Sequence, residues 1–527
     1  MAAHRITIDG KGLTLQQLAS FIEDPSIRVA VSPRAIEAVQ ETRRQVEKWL
    51  TEERRVIYGI TTGLGKLKDF VVDERDQEIF QQKILYSHAV GIGPYFPDDV
   101  VRLAMLLRAN VLSRGHSGVR PELIERMLTF LNGGIIPLLP QIGSLGVGDL
   151  QPMAHLGLCL TGAPEGRVRF RGEEGSAEEM LRKAGVVPVR FPLAAREALA
   201  LMSGSTLVLA NAIHAHHKAK QLARLADVAL ALNLEAMRGE VSAFDERIQR
   251  ARGIPGQIET ARNVRTLLKG SEWVTEEGRR RLGEIRPRVQ DAVSFRASPQ
   301  LHGAVKEVLR YLETVLSREI NASADNPLIF SGESGYESLS GGNFHGAILA
   351  YALDFIGIAL TDLAVLSERR SARLLDPAAS YGLPANLAGG AVGLNTGFAQ
   401  VQANAVALVG EMRLLAAPAS IGSIPAKGNQ EDHNSMAMGA VRKTIQIIGH
   451  LEKVLAIELL CAAQAIDLIK GKMSGFAMGN GTALVYELIR RHVPPMWEDA
   501  YVKADLDKMI RLVEEETILC EVKHLLA

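Results

Sequence analysis

Six long segments rich in alanine and leucine run through this 527-residue chain beyond residue 195, and they constrain its fold more than any other feature. Most of them exceed the ordinary length of a globular helix. Several are apolar almost all round, so neighbouring helices must cover them. The pattern predicts a mainly α-helical protein with a long central helical bundle. The segments are residues 195–237, 301–321, 345–374, 396–416, 434–470 and 480–492.

The first 194 residues have shorter elements and longer loops. Residues 5–28 fit a short strand followed by a helix, and Thr14 with Gln17 forms a capping-box pattern at its start. Ser32 and Pro33 suit the cap and first turn of the next helix. Residues 163–194 are rich in turns and predict a hairpin. We therefore expect two domains, a smaller mixed N-terminal domain over 1–194 and a helical-bundle domain over 195–527.

The composition narrows the class of ligand and the cellular compartment. Sixty basic residues balance sixty acidic ones without a long run of either sign, which disfavours nucleic acid and anionic membranes as partners and favours a small zwitterionic ligand. Three scattered cysteines in apolar surroundings predict buried thiols and a reducing cytoplasm. The first residues lack the apolar core of a signal peptide. Residues 348–366 are very apolar but contain Asp354 and Asp362, which predicts a helix buried in protein.

Four polar, glycine-containing loops are the places to look for chemistry. Each also has a structural interpretation: a tyrosine packed beside a turn, a histidine that caps a helix, a plain helix connection, or a solvated helix start. The loops are residues 58–65 with Tyr58, 87–93 with His88, 143–152 with Gly146, Val147 and Gly148, and 423–435 with Lys427, Gln430 and Glu431.

Two further stretches contain candidate ligand-binding groups. Arg296 lies among apolar residues and suits a bidentate grip on a carboxylate, although a structural ion pair explains it equally well. Asn326 and Phe344 supply an amide and an aromatic ring near helix ends, where caps and turns are the alternative. Residues 214, 216 and 217 are histidines whose spacing does not put all three on one helix face, so we expect no metal site.

Together these stretches resemble the histidine and phenylalanine ammonia-lyase family along nearly the whole chain. The resemblance implies a histidine ammonia-lyase-like fold, carbon–nitrogen lyase activity and a homotetramer whose active sites draw on three subunits. It makes Tyr58 the catalytic tyrosine. His88 and Glu431 match residues that hold the imidazole ring in histidine lyases, whereas phenylalanine-specific relatives usually have an apolar residue and a glutamine there.

The resemblance breaks at one loop. Family members carry Ala-Ser-Gly between the residues that match Gly146 and Asp149, and this tripeptide forms the electrophilic methylideneimidazolone. Here only Val147 and Gly148 fill the gap, without the serine, so we expect no such cofactor. Three changes accompany it: Ser203 stands where the family has Asn, Val293 where it usually has Tyr, and Lys427 where it normally has Ser.

The retained groups suggest a reaction that needs no electrophile. We predict a cofactor-independent elimination of a trimethylamine-type leaving group from a histidine-derived betaine such as ergothioneine, which resembles the activity of ergothionase. Tyr58 is the expected base and Glu431 is expected to polarise the ring. The expected substrate-binding residues are His88, Arg296, Asn326, Phe344, Lys427, Gln430 and Ser203. Two alternatives stay open: a lyase or addition enzyme for another imidazole or aryl acid, and an inactive ligand-binding paralogue.

Overall fold

The computed structural model describes residues 5–333 and 335–527, which are mostly helical. The helices of the N-terminal part are α1 (Leu15–Glu23), α2 (Pro33–Thr51), α3 (Gln77–His88), α4 (Asp98–Leu112), α5 (Pro121–Gly133), α6 (Leu150–Thr161), α7 (Ala177–Lys183) and α8 (Glu197–Met202). They continue with α9 (Thr206–Met237), α10 (Glu246–Arg252), α11 (Pro255–Leu267), α12 (Glu276–Arg281), α13 (Val293–Arg296) and α14 (Ser298–Glu319). The last are α15 (Ala347–Leu375), α16 (Ala399–Leu415), α17 (Ala437–Lys470), α18 (Asn480–His492), α19 (Lys503–Glu514) and α20 (Thr517–Val522).

Short strands form small sheets among the described residues. Strands β1 (Arg5–Ile8) and β2 (Arg28–Val31) pair in parallel, while β3 (Ile92–Tyr95) pairs antiparallel with β5 (Pro140–Ile142). Strand β4 (Ile135–Pro137) pairs with β6 (Arg167–Phe170), which forms a hairpin with β7 (Glu173–Ser176). Strands β8 (Leu328–Gly332) and β9 (Gly335–Leu339) form a second hairpin.

The local predictions are largely confirmed. Each of the six alanine- and leucine-rich segments contains a long helix, although the first is broken into α8 and α9. The capping box at Thr14 and Gln17 is present, and the Ser32 side chain accepts the N–H of Ala35 at the start of α2. The hairpin expected within 163–194 is β6–β7. Residues 133–149, which connect α5 to α6, contain β4 and β5.

The chain forms two compact units, and their division differs from the predicted boundary near residue 194. Unit 1 comprises the described residues of Met1–His214 together with Glu313–Leu353 and Pro418–Arg442. Unit 2 comprises Ala215–Leu312, Asp354–Ala417 and Lys443–Ala527. The helices α9, α14, α15 and α17 each begin in one unit and end in the other. A long helix has one periodicity along its whole length, so sequence patterns do not mark a division within it.

In unit 1, α3 packs against α6 and α8, and this packing sets the position of the C-terminal end of α3. Leu85 of α3 lies so close to Gly157 of α6 that a Cβ there would come within 2.5 Å of a leucine methyl group. Close contact through a glycine fixes the two helices at short distance. The next turn of α3 ends at His88, so that side chain is presented from a rigid support.

Unit 2 has charged side chains buried between its helices. The Arg370 guanidinium binds the Glu458 carboxylate, with Nη2 2.8 Å from Oε2, and both side chains are fully buried. Asp227 accepts hydrogen bonds from Lys306 Nζ at 2.7 Å and from His302 Nδ1 at 2.8 Å. Burial by itself raises the pKa of Asp227, but Lys306 and His302 outweigh it and hold that pKa well below its usual range. Buried charges of this kind are tolerated because each has a partner.

Two helical stretches, Glu197–Met237 and Ala347–Leu375, are long and apolar enough to cross a membrane by length and composition alone. In their most apolar windows, 94% and 61% of the residues are buried inside the protein. Core helices of large proteins pass the same test, so these stretches are weak evidence for a membrane span. The second stretch contains residues 348–366, for which the sequence predicted a buried helix.

Candidate active site

Tyr58 lies in the loop between α2 and α3 and is half-buried. Its phenol oxygen accepts the backbone N–H of Gly65 at 3.2 Å. Gly59 has φ of +66°, and a Cβ there would come within 2.5 Å of a Leu199 methyl group, so this turn requires glycine. The Thr61 hydroxyl accepts the N–H of Ile57 at 2.8 Å and therefore holds the loop from inside. The hydrogen bond from Gly65 holds the phenol oxygen in place, and the catalytic role of Tyr58 stays a prediction.

His88 ends α3 with one ring nitrogen already engaged. Its Nδ1 lies 2.9 Å from the carbonyl oxygen of Ile84. Because a carbonyl only accepts, Nδ1 carries the proton and the other nitrogen, Nε2, is an acceptor. Burial lowers the pKa of His88 and Lys427 lowers it further, against the opposing effects of Ile84 and Glu431. His88 is therefore a neutral imidazole close to both of those charged residues.

Lys427 and Glu431 form an ion pair across a tight turn. Lys427 Nζ lies 2.8 Å from Glu431 Oε1, and the backbone N–H of Ala426 donates to the Glu431 carbonyl at 2.9 Å. Lys427, Gly428 and Asn429 have φ of +50°, +63° and +63°. For the two residues that carry side chains, this conformation costs about 1–3 kcal/mol each. The other oxygen of Glu431, Oε2, is buried and has no hydrogen-bond partner among the described residues.

The loops of Tyr58 and Lys427 touch each other within unit 1. A Cβ placed on Gly428 would lie 3.1 Å from Cδ of Lys66, so the lysine stem crosses this glycine at van der Waals distance. Lys66, which directly follows the predicted tyrosine loop, was not singled out from the sequence, whereas Gly65 was included as the last residue of that loop. The sequence signal for this turn is the glycine at position 65, because glycine permits a positive φ, which is +55° here.

The segment Gly146–Gly148 is held on both sides by backbone hydrogen bonds. The Gly146 carbonyl accepts the N–H of Gly346 at 2.9 Å, and the Gly148 N–H donates to the Phe344 carbonyl at 3.1 Å. Val147, paired with His345 in an isolated bridge, is buried. The segment is therefore a closed, well-supported turn.

Asp149, which follows this turn, ties it to a more distant helix. Although Asp149 precedes α6, its carboxylate does not cap that helix and instead accepts the N–H groups of Leu207 and Val208 at the start of α9. Burial raises the pKa of Asp149 to about 6, against the opposing effect of hydrogen bonds from Ser144 and α9. No local sequence pattern indicates that this carboxylate binds α9, because the two lie more than fifty residues apart.

The residues in this turn do not fit the electrophilic methylideneimidazolone of the family that the sequence resembles. The serine whose dehydration makes the reactive carbon has no counterpart between Gly146 and Asp149. The nearest serine, Ser144, donates its hydroxyl to Asp149 Oδ1 at 2.7 Å and accepts the Gly146 N–H at 3.1 Å. Ser144 therefore supports the turn, but it does not stand at the position of the family's reactive serine.

Of the other predicted residues, Ser203 and Asn326 are buried, whereas Phe344 is half-buried and Gln430 is exposed. Ser203 ends α8 and is buried next to Gly204, whose carbonyl accepts the Asp149 N–H at 3.0 Å. The buried Asn326 uses its side-chain oxygen to accept the Gly341 N–H at 2.7 Å, so this oxygen already has a structural partner. Phe344 is half-buried beside the turn, and Gln430 is exposed next to Glu431.

Among the predicted site residues, Arg296 alone belongs to unit 2. It lies at the end of α13 in unit 2, exposed, whereas all the other predicted site residues belong to unit 1. The guanidinium is therefore not among the groups that unit 1 brings together.

Comparison with known proteins identifies the family. Residues 13–491 match the family model described as aromatic amino acid lyase. The chain belongs to the aromatic amino acid lyase family. It is 41% identical to histidine ammonia-lyase from Alkaliphilus metalliredigens over 99% of both chains. Among solved structures it resembles histidine ammonia-lyase from Trypanosoma cruzi, with a TM-score of 0.88, 34% identity and coverage of 99% of this chain and 96% of that one. The fold predicted from the sequence is confirmed.

A third similarity is to the ergothioneine-degrading enzyme ergothionase from Treponema denticola, with a TM-score of 0.90, 30% identity and coverage of 98% of this chain and 99% of that one. The two relatives described before it have higher identity to this chain, and they correct the predicted function. Those relatives are named histidine ammonia-lyase, whereas the sequence had suggested cofactor-independent loss of trimethylamine from a histidine-derived betaine. That prediction is contradicted, because over the full length this chain is more identical to these histidine ammonia-lyases than to ergothionase.

Proposed function

We propose that this aromatic amino acid lyase is a carbon–nitrogen lyase whose substrate is histidine. The observation that carries the proposal is the pair of acceptors at the ring site: the buried Oε2 of Glu431, without a partner among the described residues, and Nε2 of the neutral His88. A neutral imidazole ring has one N–H group, which such acceptors can bind, and a phenyl ring has none. The names of the relatives support the same substrate.

The proposed reaction breaks the Cβ–H and Cα–N bonds of histidine: a base takes the β-proton, the α-ammonium group leaves as ammonia, and the product is a conjugated imidazole acrylate. Tyr58 is the proposed base, because its phenol oxygen is held by the Gly65 N–H on a rigid turn. Glu431 and His88 bind the ring, and Phe344 packs against it. Gln430, Ser203 and Asn326 remain proposed contacts for the polar part of the substrate.

We further propose a homotetramer with shared active sites, which would let Arg296 of a second copy hold the substrate carboxylate. An exposed apolar stripe on α15 supports assembly, since residues spaced three or four apart share one helix face. The stripe consists of Ile348, Tyr351, Phe355 and Ile358, which are 40–54% exposed. Light scattering tests the assembly: the wild type should have the mass of four chains, and Phe355→Lys should form smaller species. A wild-type mass of one chain would refute it.

A separate proposal, tested independently of the substrate, is that residues 146–148 remain ordinary backbone in the mature protein, so that the amino group of the substrate would have to leave without the family's electrophile. It rests on the absent serine and on the engagement of the Ser144 hydroxyl with Asp149. Intact-mass spectrometry tests it directly. The mass calculated from the sequence is expected, and a loss of water mapped to this loop would refute the proposal.

Incubation with L-histidine tests the main proposal. The wild type should release ammonia and produce the near-ultraviolet absorbance of a conjugated acrylate, while L-phenylalanine should give neither. Replacement of Glu431 by Gln should raise KM for histidine, because the amide is a weaker acceptor than the carboxylate. Absence of both products from histidine, under conditions where the assembled protein is folded, would refute the substrate. The expected location is the cytoplasm, in keeping with a metabolic substrate of this kind.

A further inference from the structure

The ion pair between Lys427 and Glu431 is built on a backbone that favours glycine. Lys427 adopts φ of +50° and is followed by Gly428 and Asn429, both also at positive φ. A glycine at position 427 would adopt this conformation without strain, whereas lysine does not. A side chain kept at a strained position points to a contribution from that side chain. Among the described residues, the ammonium group of Lys427 hydrogen-bonds to Glu431 Oε1, at 2.8 Å.

This ion pair divides the two oxygens of the glutamate. Oε1 is occupied by Lys427, and Oε2 is buried without a partner among the described residues. The Glu431 side chain is 20% exposed, so without the lysine its carboxylate has water within reach. A charged group that loses its partner turns to solvent to recover hydration. Lys427 therefore keeps Oε2 in its buried position.

The neighbouring charges fit this role. His88 senses both Lys427 and Glu431, which places its imidazole at the same end of unit 1. On the other side, the Lys66 stem crosses Gly428 and brings a second ammonium group to the turn. Of these two lysines, Lys427 contacts the Glu431 carboxylate and therefore sets its orientation.

We infer that Lys427 is a positioning residue for ring specificity: it holds Glu431 so that Oε2 and His88 Nε2 together accept the N–H group of an imidazole ring. The inference rests on the proposed function, because it concerns the same ring site. The inference goes beyond the proposed function, because it assigns the preference for an imidazole over a phenyl ring to the ion pair between Lys427 and Glu431.

The test measures binding without turnover. Imidazolepropionate and phenylpropionate differ only in the ring and carry no amino group, so calorimetry on the intact assembly gives the ring preference as a ratio of Kd values. The wild type should prefer imidazolepropionate. Lys427→Gly keeps the turn, since glycine suits its φ, but removes the ammonium group, and should reduce the preference about tenfold. Lys427→Arg should restore part of it.

Lys68→Met is the matched control, because Lys68 is an exposed lysine of the tyrosine loop that pairs only with its neighbour Asp69 among the described residues. It should leave the ratio unchanged. An unchanged or increased preference in Lys427→Gly would overturn the inference, as would an equal loss in Lys68→Met. If the wild type itself binds both compounds equally, the ring site and the proposed substrate fail together. Loss of preference in Lys427→Gly without histidine turnover in the wild type would refute the proposed reaction alone.

Discussion

The phenol oxygen of Tyr58 accepts a hydrogen bond from the backbone N–H of Gly65, seven residues further along the same loop, at 3.2 Å. The loop thus supplies both the candidate base and a backbone donor that holds its oxygen in place. A backbone donor keeps its place when the side chain is changed, which makes the role of the phenol open to a clean test.

Replacement of Tyr58 by Phe should abolish most turnover of histidine. The phenyl ring fills the same space but has no oxygen to take the β-proton, and general-base catalysis is typically worth a hundredfold or more, about 10²–10⁴. Steady-state kinetics with histidine measures the loss in kcat. Tyr86→Phe, at an exposed tyrosine of α3, is the control and should keep wild-type kcat. Full activity in Tyr58→Phe would exclude the phenol as the base.

Replacement of Gly146 by Ala should disturb the turn that stands at the family's cofactor position. Gly146 has φ of +81°, and an added Cβ would come within 2.2 Å of Ser435 Oγ. Strain of this kind costs about 1–3 kcal/mol, so the thermal unfolding midpoint should fall. Gly341→Ala is a suitable control, because a Cβ there meets nothing within 4 Å. Equal midpoints for the two variants would show that the turn adapts freely.

Removal of one partner of the buried ion pair in unit 2 should be strongly destabilising. Glu458→Gln leaves the fully buried Arg370 guanidinium without its counter-charge, which typically costs about 3–5 kcal/mol. The midpoint of urea unfolding should fall accordingly. Asp507→Asn breaks an exposed pair with Lys503 and should leave the midpoint in place, since such pairs contribute little. A similar small effect in both variants would contradict this account.

The buried His302 should make stability depend on pH. Burial lowers its pKa, against the opposing pull of Asp227, so the folded chain keeps it neutral where the unfolded chain takes up a proton. The unfolded state then binds more protons, and stability is lost as the pH falls below the ordinary histidine value of about 6.5.

The variant His302→Asn isolates this contribution, because asparagine retains a donor for Asp227 but does not titrate. Urea midpoints measured between neutral and mildly acidic pH should fall less steeply in the variant than in the wild type. Other histidines with lowered pKa values, including His88 and His155, are present in both proteins and cancel in the comparison. Parallel pH profiles would show that His302 is not responsible.

The sequence was sufficient for the local features. Apolar periodicity predicted the long helices, and the patterns at Thr14 and Ser32 predicted the caps of α1 and α2, because both depend on residues within one or two turns. The missing serine beside Val147 was also visible without a structure, since covalent chemistry depends on which residues are present. These features are encoded in neighbouring residues.

The partners of the site residues were decided only by tertiary structure. Asp149 binds the start of α9 instead of capping α6, and His88 lies near Glu431, more than three hundred positions along the chain. Arg296, expected in the same site, belongs to unit 2. A residue's type and its near neighbours determine its backbone preference and its tendency to be buried. The distant group that it meets depends on how whole helices pack, and the sequence alone did not specify that packing.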